Sequence, residues 1–171
     1  MLQMEAWQIM NRDVITIKKG ASVEEALKLM TKHHVSGLPV VDADGCIVGI
    51  ITESDVLLKD QAHVLDKPRP IKGHPPVPEE VLEKAYKKAR AELVEDAMTK
   101  DVIAFSEDSI VADIARVMVE LGINRVPVVR DRKVVGIISR ADIIKAMAAT
   151  LAPPAADAAK PKKKREPIEL G

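Results

Sequence analysis

An α/β (α+β) fold built from two similar β-α-β-β-α units with a helix between them is what this 171-residue sequence predicts, and three observations carry the expectation. The first is repetition. Met10-Asn-Arg-Asp-Val-Ile-Thr-Ile17 returns as Met98-Thr-Lys-Asp-Val-Ile-Ala-Phe105, Leu38-Pro-Val-Val41 as Val126-Pro-Val-Val129, and Gly49-Ile-Ile-Thr-Glu-Ser-Asp55 as Gly136-Ile-Ile-Ser-Arg-Ala-Asp142. The second is register: Pro39 and Pro127 stand 88 positions apart and Gly49 and Gly136 stand 87, so one deletion aligns the copies. The third is that short β-type runs alternate with stretches of helical period inside each copy.

In the first copy, residues 14–17 form a β-type run and 18–20 a turn. Ser22 and Glu25 have capping-box spacing, and Val23, Ala26, Leu27 and Met30 then share one face of a helix expected over 23–34. Residues 35–41 read as extended, Asp44-Gly45 as a tight hairpin turn and 47–52 as the returning strand. A closing helix is expected from about Ser54 to Lys59.

The second copy repeats this order. Val111, Ile114, Ala115 and Met118 mark its first helix, residues 130–133 a shorter charged hairpin, and 141–150 its closing helix. Between the copies, five prolines in residues 60–78 exclude a continuous helix or an interior strand, so this stretch is a linker. Pro78 can then start a helix, expected over 79–97 with Leu82, Ala85, Ala89 and Leu93 on one stripe. The expected organisation is one module over 1–150, with repeats at about 8–59 and 95–148 and the linker and helix at 60–94. Residues 151–171, rich in Pro, Ala, Lys and Glu, read as a disordered basic tail.

Each repeat has only about 50 residues, a size at which a lone core is marginal, so the two should depend on each other. The core must be aliphatic, because 47% of residues are hydrophobic yet Trp7, Tyr86 and Phe105 are the only aromatics. A formal net charge of zero provides no global field toward nucleic acid or anionic membrane. The single Cys46 cannot make an internal disulfide, and no apolar run approaches membrane-spanning length. A cytoplasmic protein without membrane association is the expectation.

The paired motifs carry a resemblance. Two copies of Met-x-x-Asp-Val-Ile, Pro-Val-Val and Gly-Ile-Ile-(Thr/Ser)-x-x-Asp, in this order, resemble a tandem pair of CBS domains, a Bateman module, of the stand-alone type. The resemblance implies two repeats packed through their sheets about an approximate two-fold axis, with two clefts between them. It implies adenosine-containing ligands such as AMP, ADP, ATP, S-adenosylmethionine or NAD(H) as regulatory ligands, no required cofactor, a homodimer and an unidentified regulated protein.

Carried onto matching positions, the resemblance makes Asp55 and Asp142 acceptors for a ribose diol, a role suited to ionised carboxylates. Thr52 and Ser139 stand before a helix start, where a hydroxyl and backbone N–H groups can meet phosphate. Ile15 with Thr16, and Ile103 with Ala104, would line an adenine slot. Val35, Ser36, Gly37, Leu38 and Pro39, and Ile123, Asn124, Arg125, Val126 and Pro127, would form the facing wall. Spacing alone allows another role, since Thr52-x-x-Asp55 and Ser139-x-x-Asp142 are also helix caps in which the acid touches no ligand.

The copies differ in charge. Asn124, Arg125 and Arg140 of the second stand where the first has Ser36, Gly37 and Glu53. The expectation is a phosphorylated ligand in the Asp142 cleft and a weaker or less anionic one in the Asp55 cleft, unless the basic residues serve the opposite cleft.

Other signals are set aside. The four histidines and Cys46 lack metal-ligand spacing, and Asp42-x-Asp44 opens like a calcium loop but has Ile47 where the turn glycine belongs. No activated nucleophile, glycine-rich phosphate loop or catalytic carboxylate pair is recognisable, so no catalytic residue, enzyme activity or metal site is expected. Rival readings are a structural dimerisation scaffold with empty clefts, and nucleic-acid binding through the basic run at 160–165.

Overall fold

A computed structural model describes residues 3–60, 75, 77–89 and 91–151. Most of the proline-rich linker and the basic tail, with His63 and His74, lie outside the described residues.

The first repeat contains β1 (Ile17–Lys18), α2 (Val23–His33), β2 (Gly37–Val41), β3 (Ile47–Thr52) and α3 (Glu53–Asp60), preceded by a short α1 (Ala6–Ile9). Helix α4 (Glu79–Ala89) and a short α5 (Val94–Ala97) lead into the second repeat, made of α6 (Val111–Glu120), β4 (Arg125–Arg130), β5 (Lys133–Ser139) and α7 (Arg140–Leu151). In the first sheet β1 is parallel to β2 and β2 antiparallel to β3, with Pro39 opposite Ile50. In the second, β4 and β5 are antiparallel with Pro127 opposite Ile137, and each hairpin is bulged at the same place, Val40/Val41 and Val128/Val129.

The leading strand is shorter than expected in both copies. Val14 N–H donates to the Arg12 carbonyl at 2.9 Å, which turns residues 14 and 15 off the sheet edge, so β1 starts at Ile17 and includes Lys18. In the second copy the strand shrinks to a bridge, Phe105 pairing in parallel with Val128. Helix α2 starts on the Ser22 hydroxyl, which accepts from Glu25 N–H at 3.1 Å, and stops at His34, whose φ of 53° lies in the left-handed region. The calcium-like acids form a turn: Asp42 Oδ1 accepts from the N–H groups of Asp44 and Cys46 at 3.0 and 2.8 Å.

The one helix expected over 79–97 is two. Leu93 is extended (φ −98°, ψ 147°) because the backbone at 92–95 is engaged elsewhere. Val23 N–H donates to the Glu92 carbonyl and Val94 N–H to the Ala21 carbonyl, both at 2.9 Å. A continuous helix would have consumed those groups internally. Helix α4 begins after Pro78 as its sequence suggests, and it runs along α3.

The two cores exchange their leading segments. Ile17, Val23, Ala26, Met30, Leu38, Val40 and Ile51 of the first repeat bury against Val94, Ala97 and Met98, which precede the second. Val111, Ile114, Met118, Val126, Val128 and Ile138 of the second bury against Ala6 and Met10 from the start of the chain. The backbone contacts follow suit: Val111 N–H donates to the Met4 carbonyl and Ala6 N–H to the Ser109 carbonyl, both at 2.8 Å. Asn11 bridges Ile137 just as Thr99 bridges Ile50, and contacts repeated in both directions are what an approximate two-fold axis requires. The hairpin tips also meet, Ile47 N–H donating to the Arg132 carbonyl at 2.9 Å.

Candidate functional site: two clefts between the repeats

Two clefts lie on the line where the repeats meet, with volumes of about 250 and 230 Å³. Each takes its floor from the start of a closing helix in one repeat and its walls from the other. The larger joins Thr52, Glu53, Ser54 and Asp55 to Asp101, Val102, Ile103, Gly122, Ile123, Asn124, Arg125 and Pro127. The smaller joins Ile137, Ser139 and Asp142 to Asp13, Val14, Ile15, His34, Val35, Ser36 and Gly37, with Arg125 again at its edge.

At both floors an aspartate folds back on its helix start. Asp55 Oδ2 accepts from Thr52 N–H at 2.9 Å and from the Thr52 hydroxyl at 3.0 Å. Asp142 Oδ2 accepts from Ser139 N–H at 2.8 Å and from the Ser139 hydroxyl at 2.6 Å. These are the third helical residues of α3 and α7, where a carboxylate also favours the positive helix end. The capping role open to both aspartates is therefore filled, by one oxygen of each. Asp55 is only 6% exposed, whereas Asp142 is half-buried.

The walls sort the remaining candidates. Ile15, Val35, Ser36 and Gly37 border the Asp142 cleft, and Ile103, Ile123, Asn124 and Pro127 border the Asp55 cleft. Leu38 and Val126 have no exposed surface and belong to the two cores, and Pro39 is also fully buried. Thr16 and Ala104 follow the cleft-lining Ile15 and Ile103 in sequence, but neither borders a cleft. Arg140 borders neither: its Nε donates to the Ile123 carbonyl at 2.9 Å and its Nη2 to the Met118 carbonyl at 2.8 Å, closing the end of α6. Asn124 thus faces the Asp55 cleft rather than the cleft of its own repeat's aspartate, and Arg125 borders both.

Arg125 is the electrostatic centre. Its Nη1 donates to the Ser36 carbonyl and its Nη2 to the Ser36 hydroxyl, across the repeat boundary. Burial pushes the guanidinium below its ordinary pKa, and the Glu53 carboxylate partly offsets this. Around it stand Glu53, Asp55 and Asp101 in one cleft and Asp13 and Asp142 in the other. Asp13 and Asp101 carry one sequence signal, the repeated acid of Met-x-x-Asp-Val-Ile, and recurrence alone does not place an acid in a cleft. Among the described residues no cluster of His, Cys, Asp and Glu could hold a metal ion, and no helix is long and apolar enough to cross a membrane.

Comparison with known proteins agrees with this geometry. The family model described as "CBS domain" matches residues 6–61 and again 94–149. Protein MJ1426 of Methanocaldococcus jannaschii is 33% identical over 151 residues, covering 81% of this chain and 88% of its own. MJ1225 of the same organism is 33% identical over 138 residues, and the chain spans only 41% of that longer protein. Among solved structures, the CBS domain pair of protein MJ0100, in complex with 5′-methylthioadenosine and S-adenosyl-L-methionine, superposes with a TM-score of 0.65 at 30% identity, covering 86% of this chain and 98% of that one. CBSX2 in complex with AMP gives 0.65 at 26% identity, covering 85% and 97%. With both repeats matched in sequence and the pair matched in fold, this chain belongs to the CBS domain family and holds two such domains in tandem.

Proposed function

We propose that the chain is a regulatory, non-catalytic module that senses an adenosyl compound, of the AMP, ADP, ATP or S-adenosylmethionine class, in the clefts between its repeats. The observation that carries this reading is the crossed construction of both clefts, in which a carboxylate and hydroxyl from one repeat face apolar walls from the other. A ribose diol on Asp55 or Asp142, with adenine against Ile103 or Ile15, would touch both repeats at once. Such a ligand favours whichever relative arrangement of the repeats fits it best, which is the thermodynamic requirement for a signal. The related CBS pairs solved with AMP and with S-adenosyl-L-methionine support the ligand class.

The signal would pass to a regulated protein through a homodimer. Leu27 on α2, Leu57 on α3, Val119 on α6 and Ile144 on α7 are large apolar side chains between 48% and 74% exposed. Helix α7 also buries Ile143 and Ala146 on its inner side, and a helix apolar on both sides is suited to a second partner.

A structural scaffold is the second reading, favoured by the cap bonds that already occupy both aspartates. Thermal-shift measurements with AMP, ADP, ATP, S-adenosylmethionine and NADH separate the two. A compound at about 100 times its dissociation constant adds roughly 2.7 kcal/mol of stability. Stabilisation that Asp55→Ala or Asp142→Ala abolishes supports sensing and identifies the cleft. No shift with any compound, with both variants merely less stable, supports the scaffold.

A further inference from the structure

Among the described residues, Arg125 is the only lysine or arginine bordering either cleft, and it borders both. Its place depends on an asymmetry between the repeats. The position 88 residues earlier is Gly37, and a β-carbon there would collide with the Arg125 guanidinium. The missing side chain in one repeat is what lets the other repeat's arginine cross the boundary to Ser36.

The bonds that hold it leave its charge in place. Ser36 offers a carbonyl and a hydroxyl, both neutral, and no carboxylate of the described residues lies within ion-pair distance of the guanidinium. A guanidinium remains protonated at any physiological pH, so this is a half-buried cation without a paired anion. The acidic side chains lining the clefts number three in the Asp55 cleft and two in the Asp142 cleft, where His34 also stands.

From this shared position we infer that the two clefts compete for one cation, so that the chain holds one phosphate-bearing ligand at a time and leaves its other cleft to an uncharged or cationic adenosyl compound. The inference rests on the adenosyl reading above and adds a rule of occupancy to it. A phosphate that engages the Arg125 fork neutralises it, and a second phosphate would find no further arginine or lysine among the described lining residues to offset the carboxylates there. The first anion favours the Asp142 cleft, where the fork already rests on Ser36 and the carboxylates are fewer.

Isothermal titration of the full chain with adenosine and, separately, with AMP tests this. Adenosine should fill two sites per chain, whereas AMP should fill one tightly and the second at least about tenfold more weakly, a coupling within the usual range. Arg125→Gln should remove the gap between the two compounds, bringing the tight AMP site down to the affinity that adenosine shows for the same variant. Arg125→Lys, which keeps the charge, should retain the two-step AMP pattern and guards against a variant that fails to fold. Two equal AMP sites in the unaltered chain, or two-step AMP binding that survives Arg125→Gln, would overturn the inference while leaving the adenosyl reading standing. Binding of neither compound would overturn both.

Discussion

The thioether of Met98 lies over Gly49 so closely that a β-carbon on the glycine would collide with its sulfur, and Met10 covers Gly136 in the same way. Each glycine sits in the returning hairpin strand of one repeat, Gly49 in β3 and Gly136 in β5, and each methionine comes from the segment leading into the other. Gly49→Ala or Gly136→Ala should therefore cost about 1–3 kcal/mol through overpacking, read as a lower urea midpoint. Combining Gly49→Ala with Met98→Ala should cost less than the sum of the two single changes. Strict additivity would show that the pair is not in contact.

Crossed packing makes a second prediction, about where damage appears. Met10 is 7% exposed and belongs to the core of the second repeat, although it lies at the start of the first. Met10→Ala should cost about 2–5 kcal/mol, as truncation of a buried methionine does. Hydrogen exchange should quicken first in β4 and β5, and Met98→Ala should quicken it in β2 and β3. The reverse pattern would place each segment in its own repeat.

The β4–β5 turn offers a gain in stability. Asp131 and Arg132 both have positive φ, 51° and 64°, as a two-residue hairpin with the twist of its strands requires. Side chains other than glycine pay for that region, roughly 1–2 kcal/mol per residue. Replacing the pair by Asn-Gly should raise the melting temperature, with a gain of about 1 kcal/mol. The Arg132 carbonyl that accepts from Ile47 N–H is backbone and survives the change.

The aspartate caps should differ in cost without any ligand. Asp142→Ala should destabilise by about 1 kcal/mol, the ordinary loss of a cap. Asp55 is almost fully buried, so Asp55→Ala removes a packed side chain together with its bonds to Thr52 and should cost about 2–3 kcal/mol. Circular-dichroism melts of the two variants give the comparison, and equal losses would mean that burial of Asp55 adds nothing.

Much of this architecture was legible in the chain. Of the expected helix stripes, Val23, Ala26 and Met30 and Val111, Ile114 and Met118 are buried while Leu27 is 48% exposed, and the Asp44-Gly45 turn closes its hairpin with Gly45 at φ 80°. These features rest on residues a few positions apart, whose geometry local backbone preferences dictate. Leu93 was misread for a related reason: its spacing fits the stripe of α4, but backbone groups at 92–95 bond to 19–23, far away in sequence.

The sequence by itself determined two β-α-β-β-α units, their register and the cap at each closing helix, because periodicity and turn chemistry act locally. Order along the chain put Met10 with the first repeat and Met98 with the second, and it did not show which core each one fills. The two copies carry the same apolar pattern, so Met10 and Met98 suit either core equally well by composition, and only the packed structure sends each to the opposite one. That exchange, with the space left by Gly37, brings Arg125 to both clefts and sets each aspartate against the walls of the other repeat.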